Sequence, residues 1–281
     1  MTGLVLEGGA MRGLFTAGVM DVMLEHGITY DGMIGVSAGA AFGCNYKSKQ
    51  VGRVLRYNTK YCKDPRYCSV LSLLLTGNLY GAKFCYYTIP EKLDIFDKET
   101  FENNPMDFHV VTTNIETGKP VYEKFSEYNK RCVEWIRASA SLPLVSKIVK
   151  IDGYKLLDGG LSDSIPVKYF QSIGYDKNVV VLTQPEGFVK EVNKQLKHIK
   201  KVYRKYPEFI NTIANRHYVY NETLEYIHKQ EAEGKLFVIR PPEKIHVKGI
   251  GDDAKTLTEA YNMGRDTALK CINELKEFLG A

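Results

Sequence analysis

Short apolar runs and helical repeats alternate along the first fifty residues. Leu4-Val5-Leu6 reads as a buried strand, and Glu7 to Gly13 as a glycine-rich turn. From Leu14 to His26, apolar residues at Leu14, Phe15, Val19, Val22 and Met23 follow a repeat close to 3.6, and Gly27 ends that helix. Met33-Ile34 is a second short strand. It leads through Gly35-Val36-Ser37-Ala38-Gly39 into the small-residue helix that begins Ala40-Ala41-Phe42. Further on, Phe108 to Asn114 reads as a strand with a hairpin partner starting at Pro120, and Glu134 to Ser141 as a helix ended at Pro143. Lys147 to Leu157 alternates apolar and polar residues around Asp152-Gly153, the pattern of a hairpin. Asn178 to Thr183 is a central strand, 189–233 is predicted helical, Leu236 to Ile239 is a late strand, and Thr256 to Phe278 is a closing amphipathic helix. Strands alternating with helices predict an α/β fold, a three-layer sandwich whose mostly parallel central sheet is covered by helices. No repeat, linker or composition break appears, so residues 1–281 are expected to form a single domain.

Composition narrows this only a little. The 281 residues can bury a full core, and 44% hydrophobic with 25% charged residues is ordinary for a globular chain. A net charge of +5 favours anionic partners but falls short of a dedicated nucleic-acid binder. The six cysteines form no Cys-x-x-Cys pair and no His/Cys cluster with metal spacing, so reduced thiols, no metal and no cofactor are expected. No signal peptide or membrane-spanning run is apparent, and the cytoplasm is the expected compartment.

Three segments carry candidate chemistry. Ser37, between Gly35 and Gly39 on a strand-to-helix turn, would have its hydroxyl pushed out of the fold beside a helix N-terminus. Upstream, Gly8-Gly9-Ala10-Met11-Arg12-Gly13 joins a strand to a helix and leaves backbone N–H groups free, as an oxyanion hole requires. A nucleotide phosphate site is the rival for that loop, but Ala10 replaces its middle glycine and no acidic residue ends the second strand. Arg12 would either bind phosphate or brace the loop; bracing is the expected role. Downstream, Asp158 leaves a strand into Gly159-Gly160. Alone that is a turn aspartate, and beside Ser37 it is a candidate base.

These three blocks, in this order, resemble the patatin-like phospholipase family of lipid acyl hydrolases. The resemblance covers most of the chain, and Ala138-Ser139-Ala140-Ser141-Leu142-Pro143 resembles the segment before the family's aspartate. It implies a Ser37–Asp158 dyad, an oxyanion loop at Gly8, Gly9, Ala10 and Met11, and an acyl-ester or phospholipid substrate attacked through an acyl-enzyme. Two positions depart from the family. Ala10 stands where a third glycine is usual, and its donor is retained provided its φ is negative. Ser164 stands where asparagine often precedes Pro166.

A Ser-His-Asp triad using His217 or His246 remains an alternative, as does a non-catalytic lipid-binding relative. Residues 67–90 are apolar and aromatic, and read equally as a lid or wall over Ser37 or as core helices. Lys190, Lys194, Lys197, Lys200, Lys201, Arg204 and Lys205 fall in one predicted helix, either a solvated face or a peripheral contact with a membrane surface. Oligomeric state has no signature here.

Overall fold

The computed structural model describes residues 1–249 and 251–280. Its first half contains β1 (Thr2–Leu6), α1 (Gly13–Glu25), β2 (Gly32–Val36), α2 (Ala38–Lys47), α3 (Arg53–Tyr61), α4 (Val70–Thr76), a π-helical segment Phe84–Leu93 and α5 (Lys98–Asn103). Then come β3 (Asp107–Asn114), β4 (Pro120–Phe125), α6 (Lys130–Ser139), β5 (Val149–Ile151) and β6 (Tyr154–Asp158). The chain continues with α7 (Val167–Ser172), β7 (Lys177–Val181), α8 (Leu196–Val202), α9 (Pro207–Ala232), β8 (Leu236–Ile239) and α10 (Ala254–Leu279).

All eight strands form one sheet, ordered β5-β6-β3-β2-β1-β7-β8 with β4 also on β3. The five strands β3, β2, β1, β7 and β8 are parallel, and β4 and β6 join β3 antiparallel. Side chains of β1 alternate between two apolar layers. Leu4 and Leu6 face the layer of α1, α2 and α10, whereas Val5 faces Phe170 of α7 and Tyr220 and Ile227 of α9. The sheet is therefore covered on both faces, as the alternation of elements predicted.

Three differences from the sequence reading have physical causes. First, α1 is buried on every side from Gly13 to Met23, not only on one face. α10 covers its outer side so closely that a Cβ on Gly18 would lie 2.1 Å from the Tyr261 carbonyl oxygen. Second, 189–233 is not one helix. Residues 189–195 are irregular, α8 is one short element, and Pro207 opens α9 as its first residue. The predicted basic stripe is thereby split. Lys190 folds inward over the Tyr220 ring at 4.1 Å, while the other six cations stay exposed. Third, 67–90 is neither wholly wall nor wholly core: Tyr67, Leu79, Tyr80, Tyr86 and Ile89 line a cavity, but α4 between them faces outward. Among the described residues no helix is long and apolar enough to cross a membrane, and all six cysteines are free thiols.

Candidate active site

β2 delivers Ser37 at the carboxyl end of the sheet, and Ser37 holds a backbone that L-residues rarely adopt, φ 56° and ψ −119°. A turn this sharp costs about 1–3 kcal/mol and persists only where its surroundings enforce it. Here the flanking glycines allow it. A Cβ on Gly35 would lie 2.5 Å from the Gly39 carbonyl oxygen, and one on Gly39 would lie 2.5 Å from the Leu6 carbonyl oxygen. The Ser37 N–H donates to Ser139 Oγ at 2.8 Å, and Ser139 Oγ donates in turn to the Val111 carbonyl at 2.6 Å. The elbow is thus tied to β3 through a fully buried hydroxyl.

Asp158 reaches Ser37 through strand pairing. β2 pairs with β3 up to Val36–Val111, and the next β3 residue, Thr112, pairs with Asp158 of β6. A strand has two edges, and β4 occupies the other edge of β3 along Phe108–Thr113. So β6 takes over the edge of β3 at the point where β2 turns away, and its last residue meets the first residue after β2. Ser37 Oγ donates to Asp158 Oδ2 at 2.7 Å. The other carboxylate oxygen accepts the Gly160 N–H at 2.8 Å, and the Asp158 N–H donates to the Ser141 carbonyl at 2.8 Å. Ser139 and Ser141, two residues apart in the chain, hold the two candidate catalytic residues from behind.

Asp158 is only 3% exposed. Burial lifts its pKa from 3.8 to about 6, against the opposing pull of the Ser37 hydrogen bond, the Arg216 charge and the Gly160 N–H. Arg216, from α9, donates through Nε to the Gly160 carbonyl, which also accepts Ser164 Oγ at 2.7 Å. The serine found where the family often has asparagine therefore supports the turn that carries Asp158. Burial lowers the Arg216 pKa, and Asp158 opposes that shift. No feature of the sequence marked Arg216, since it lies within a polar stretch of a long helix.

The glycine loop runs directly beside Ser37: a Cβ on Gly8 would be 3.0 Å from Ser37 Cβ, so a side chain there would crowd the nucleophile. The N–H groups of Gly8, Gly9 and Ala10 have no partner among the described residues. Met11 lines the cavity at Ser37, and Gly13 begins α1. Ala10 is at φ 48°, the left-handed region, so the negative φ set as the condition for its donor is not met. Its N–H has no partner among the described residues even so, and the backbone strain costs about 1–2 kcal/mol.

The expected brace, Arg12, makes no side-chain hydrogen bond or ion pair with a described residue, and its Nε is buried unpaired. Glu7 holds the loop instead. Its carboxylate is 2% exposed and accepts the Thr183 N–H at 2.6 Å and the Tyr220 hydroxyl at 2.7 Å. Lys190 completes this corner, its pKa lowered to about 8 first by burial and then by the neighbouring Arg216 charge.

Neither alternative histidine joins the pair. His246 is exposed, His217 lies against Tyr218 with ring centroids 3.9 Å apart and planes tilted by 40°, and the hydrogen bonds of Ser37 and Asp158 include no imidazole. A cavity of about 140 Å³ opens at Ser37 between Ala38, Phe42, Tyr86, Ile89 and Leu142. Its lining is mainly apolar, so it suits a hydrocarbon chain.

A model of the patatin-like phospholipase family matches residues 4–170, and a domain of unknown function, DUF6363, matches residues 206–280. The uncharacterized protein YjjU of Escherichia coli (strain K12) is 28% identical, over 93% of this chain and 74% of its own length. Lysophospholipase nte1 of Aspergillus oryzae is 28% identical over 62% of this chain, which spans 11% of that protein. Among solved structures, VipD from Legionella pneumophila is similar with a TM-score of 0.47 and 13% identity, over 97% of this chain and 67% of its own. Matched by the family model over more than half its length, the chain belongs to the patatin-like phospholipases and is a carboxylic-ester hydrolase.

Proposed function

We propose that this protein hydrolyses acyl esters of lipids with a Ser37–Asp158 dyad. Ser37 Oγ attacks the ester carbonyl carbon while Asp158 Oδ2 takes its proton across the 2.7 Å hydrogen bond. The carbonyl oxygen becomes an oxyanion facing the N–H groups of Gly8, Gly9, Ala10 and Met11, where each well-placed donor is worth about 3 kcal/mol. The tetrahedral intermediate collapses, Asp158 returns the proton to the leaving alcohol oxygen, and the acyl group stays on Ser37. Water, deprotonated by Asp158, then releases the fatty acid and restores the serine.

The observation that carries this reading is the buried geometry of Asp158, whose Oδ1 is held by the Gly160 N–H while its Oδ2 accepts the Ser37 hydroxyl. With a pKa of about 6 it is a stronger base than an ordinary aspartate, yet it remains ionised at pH 7. The apolar cavity supports an acyl substrate, and the name of the fungal relatives supports lysophospholipids as one class of it. A cavity of about 140 Å³ is close to the size that holds benzene, so it encloses about six carbons of a chain.

A fluorophosphonate probe tests the assignment. Ser37 should be labelled in the wild type, slowly in Asp158→Asn and not in Ser37→Ala, while His217→Ala and His246→Ala label and turn over as the wild type does. Full ester turnover by Asp158→Asn, or its loss in His246→Ala, would overturn the dyad.

A further inference from the structure

α4 is a seven-residue helix in which four of the five aliphatic side chains face outward and Leu73 is half-buried. Val70, Leu71, Leu74 and Leu75 are 63%, 56%, 78% and 76% exposed. Single leucines on a surface need no explanation, but four in two turns form a patch. The helix is well held. Ser69 Oγ accepts the Ser72 N–H at 2.9 Å, Gly77 closes the other end, and Cys68 bridges to Tyr80 at the base of the excursion. The Ser69 N–H donates to the Leu79 carbonyl at 3.1 Å, and the Gly81 N–H to that of Tyr67 at 3.0 Å. Tyr67, Leu79 and Tyr80 of that base line the cavity at Ser37. The exposed leucines and the acyl cavity therefore lie on the two sides of one wall.

The surroundings of the patch are cationic. In the chain on either side of it, residues 60–83 carry the exposed Lys60, Lys63 and Lys83, together with Arg66, which pairs with Asp64 at 2.7 Å. The exposed Lys147 runs its stem along Gly77, and its N–H donates to Asn78 Oδ1 at 3.0 Å. The same 142–147 segment, which lines the cavity with Leu142, Val145 and Ser146, meets the residue that follows α8 where the Leu144 N–H donates to the Tyr203 hydroxyl at 3.3 Å. α8 adds the exposed Lys197, Lys200 and Lys201.

Two considerations choose the occupant. A protein-binding patch is typically centred on aromatic or arginine anchors, whereas this one is purely aliphatic, with the exposed Lys147 beside its C-terminal Gly77 and an excess of lysines in the flanking chain. In addition, the cavity encloses about six carbons, so the rest of a long acyl chain must stay in an apolar phase beside its mouth. We propose that α4 docks this enzyme on an anionic phospholipid bilayer, with Leu74 and Leu75 entering the headgroup–acyl boundary and the cations of Lys147 and α8 held on the headgroups. The purpose of the docking rests on the acyl-ester reading of Ser37, but its test does not.

The test is co-sedimentation with vesicles of phosphatidylcholine alone or mixed with phosphatidylglycerol, alongside turnover of a water-soluble short-chain ester. The wild type should prefer the anionic vesicles by about tenfold, and Leu74→Ser/Leu75→Ser should lose about tenfold or more in partitioning. The same variant should keep its melting temperature and soluble-ester turnover. Lys200→Glu/Lys201→Glu should lose the anionic preference alone. A wild type that ignores both vesicles, or one that binds them equally, would overturn the proposal. So would a leucine variant that sediments like the wild type, or one that loses soluble-ester turnover as well. Sedimentation through the leucines without any ester turnover would leave the docking standing and remove the hydrolase reading instead.

Discussion

An aspartate with its usual pKa of 3.8 is a weak base toward a serine hydroxyl, and burial moves Asp158 up to about 6. Between those two pH values the folded protein keeps a proton that the unfolded chain has lost. The stabilising contribution of the group is therefore complete below pH 3.8 and disappears as pH rises through about 6. At neutral pH the ionised carboxylate is a cost to the fold, on the order of 3 kcal/mol for a shift of this size. Asp158→Asn should thus be inactive but more stable than the wild type in urea at pH 7.5, with the advantage vanishing toward pH 4. The kcat/KM of the wild type should fall on the acid side with a midpoint near 6, as Asp158 takes up its proton. Arg216 tunes the same limb from behind, because its charge favours ionised Asp158. Removing that charge in Arg216→Gln should move the acid limb to higher pH, whereas Arg216→Lys should leave its midpoint near that of the wild type. A pH–rate profile unchanged by Arg216→Gln would reduce this arginine to a structural brace.

At the scale of elements, the site is a junction of strand ends. β2 stops, β6 takes over the edge of β3, and the serine after one strand meets the aspartate ending the other. The Ser37 half of this junction is legible in the sequence because a strand, a tight turn and a helix are set by neighbouring residues. The Asp158 half is not, because the pairing of Thr112 with Asp158 is a contact between distant segments, and a family resemblance had to supply it. Ser139 stood out only through that resemblance, although its hydroxyl ties the elbow to β3. The break between α8 and α9 had a local mark in Pro207, which suits the first turn of a helix and interrupts a longer one. At Ala10 the local rule favouring negative φ yielded to the tertiary fit of the loop between Ser37 and Thr183. Glycine accepts φ 48° freely, so Ala10→Gly should relieve about 1–2 kcal/mol of strain, part of it returned as unfolded-chain entropy. The expected net gain is about 0.5–1 kcal/mol by urea titration, with kcat/KM within about twofold because the peptide N–H is unchanged. A loss of stability would mean that the Ala10 methyl makes a contact worth more than its strain.

For the whole molecule, the boundary between the two matched families does not follow the packing. The second match begins at residue 206, yet α9 sends Tyr220 to Glu7 at the start of the glycine loop and Arg216 to the turn behind Asp158. β8 extends the sheet beside β7, and α10 lies so close to α1 that a Cβ on Gly264 would meet the Phe15 carbonyl oxygen at 2.0 Å. Both family segments therefore contribute to one sheet, to the apolar layers on its two faces and to the candidate site, and we propose that they unfold together. The chain offers a clean probe of each part. Its one tryptophan, Trp135, is fully buried in α6 and reports on the first segment, while α9 and α10, of 26 residues each, dominate the helical signal of the second. Urea unfolding followed by tryptophan fluorescence and by far-ultraviolet circular dichroism should give coincident transitions. Gly264→Ala, which forces α10 off α1, should lower both midpoints equally, reflecting a loss of about 1–3 kcal/mol of stability typical of an overpacked core. If the circular-dichroism midpoint alone moved, the two matched segments would be separate folding units, and the placement of Arg216 behind Asp158 would be a docking between them.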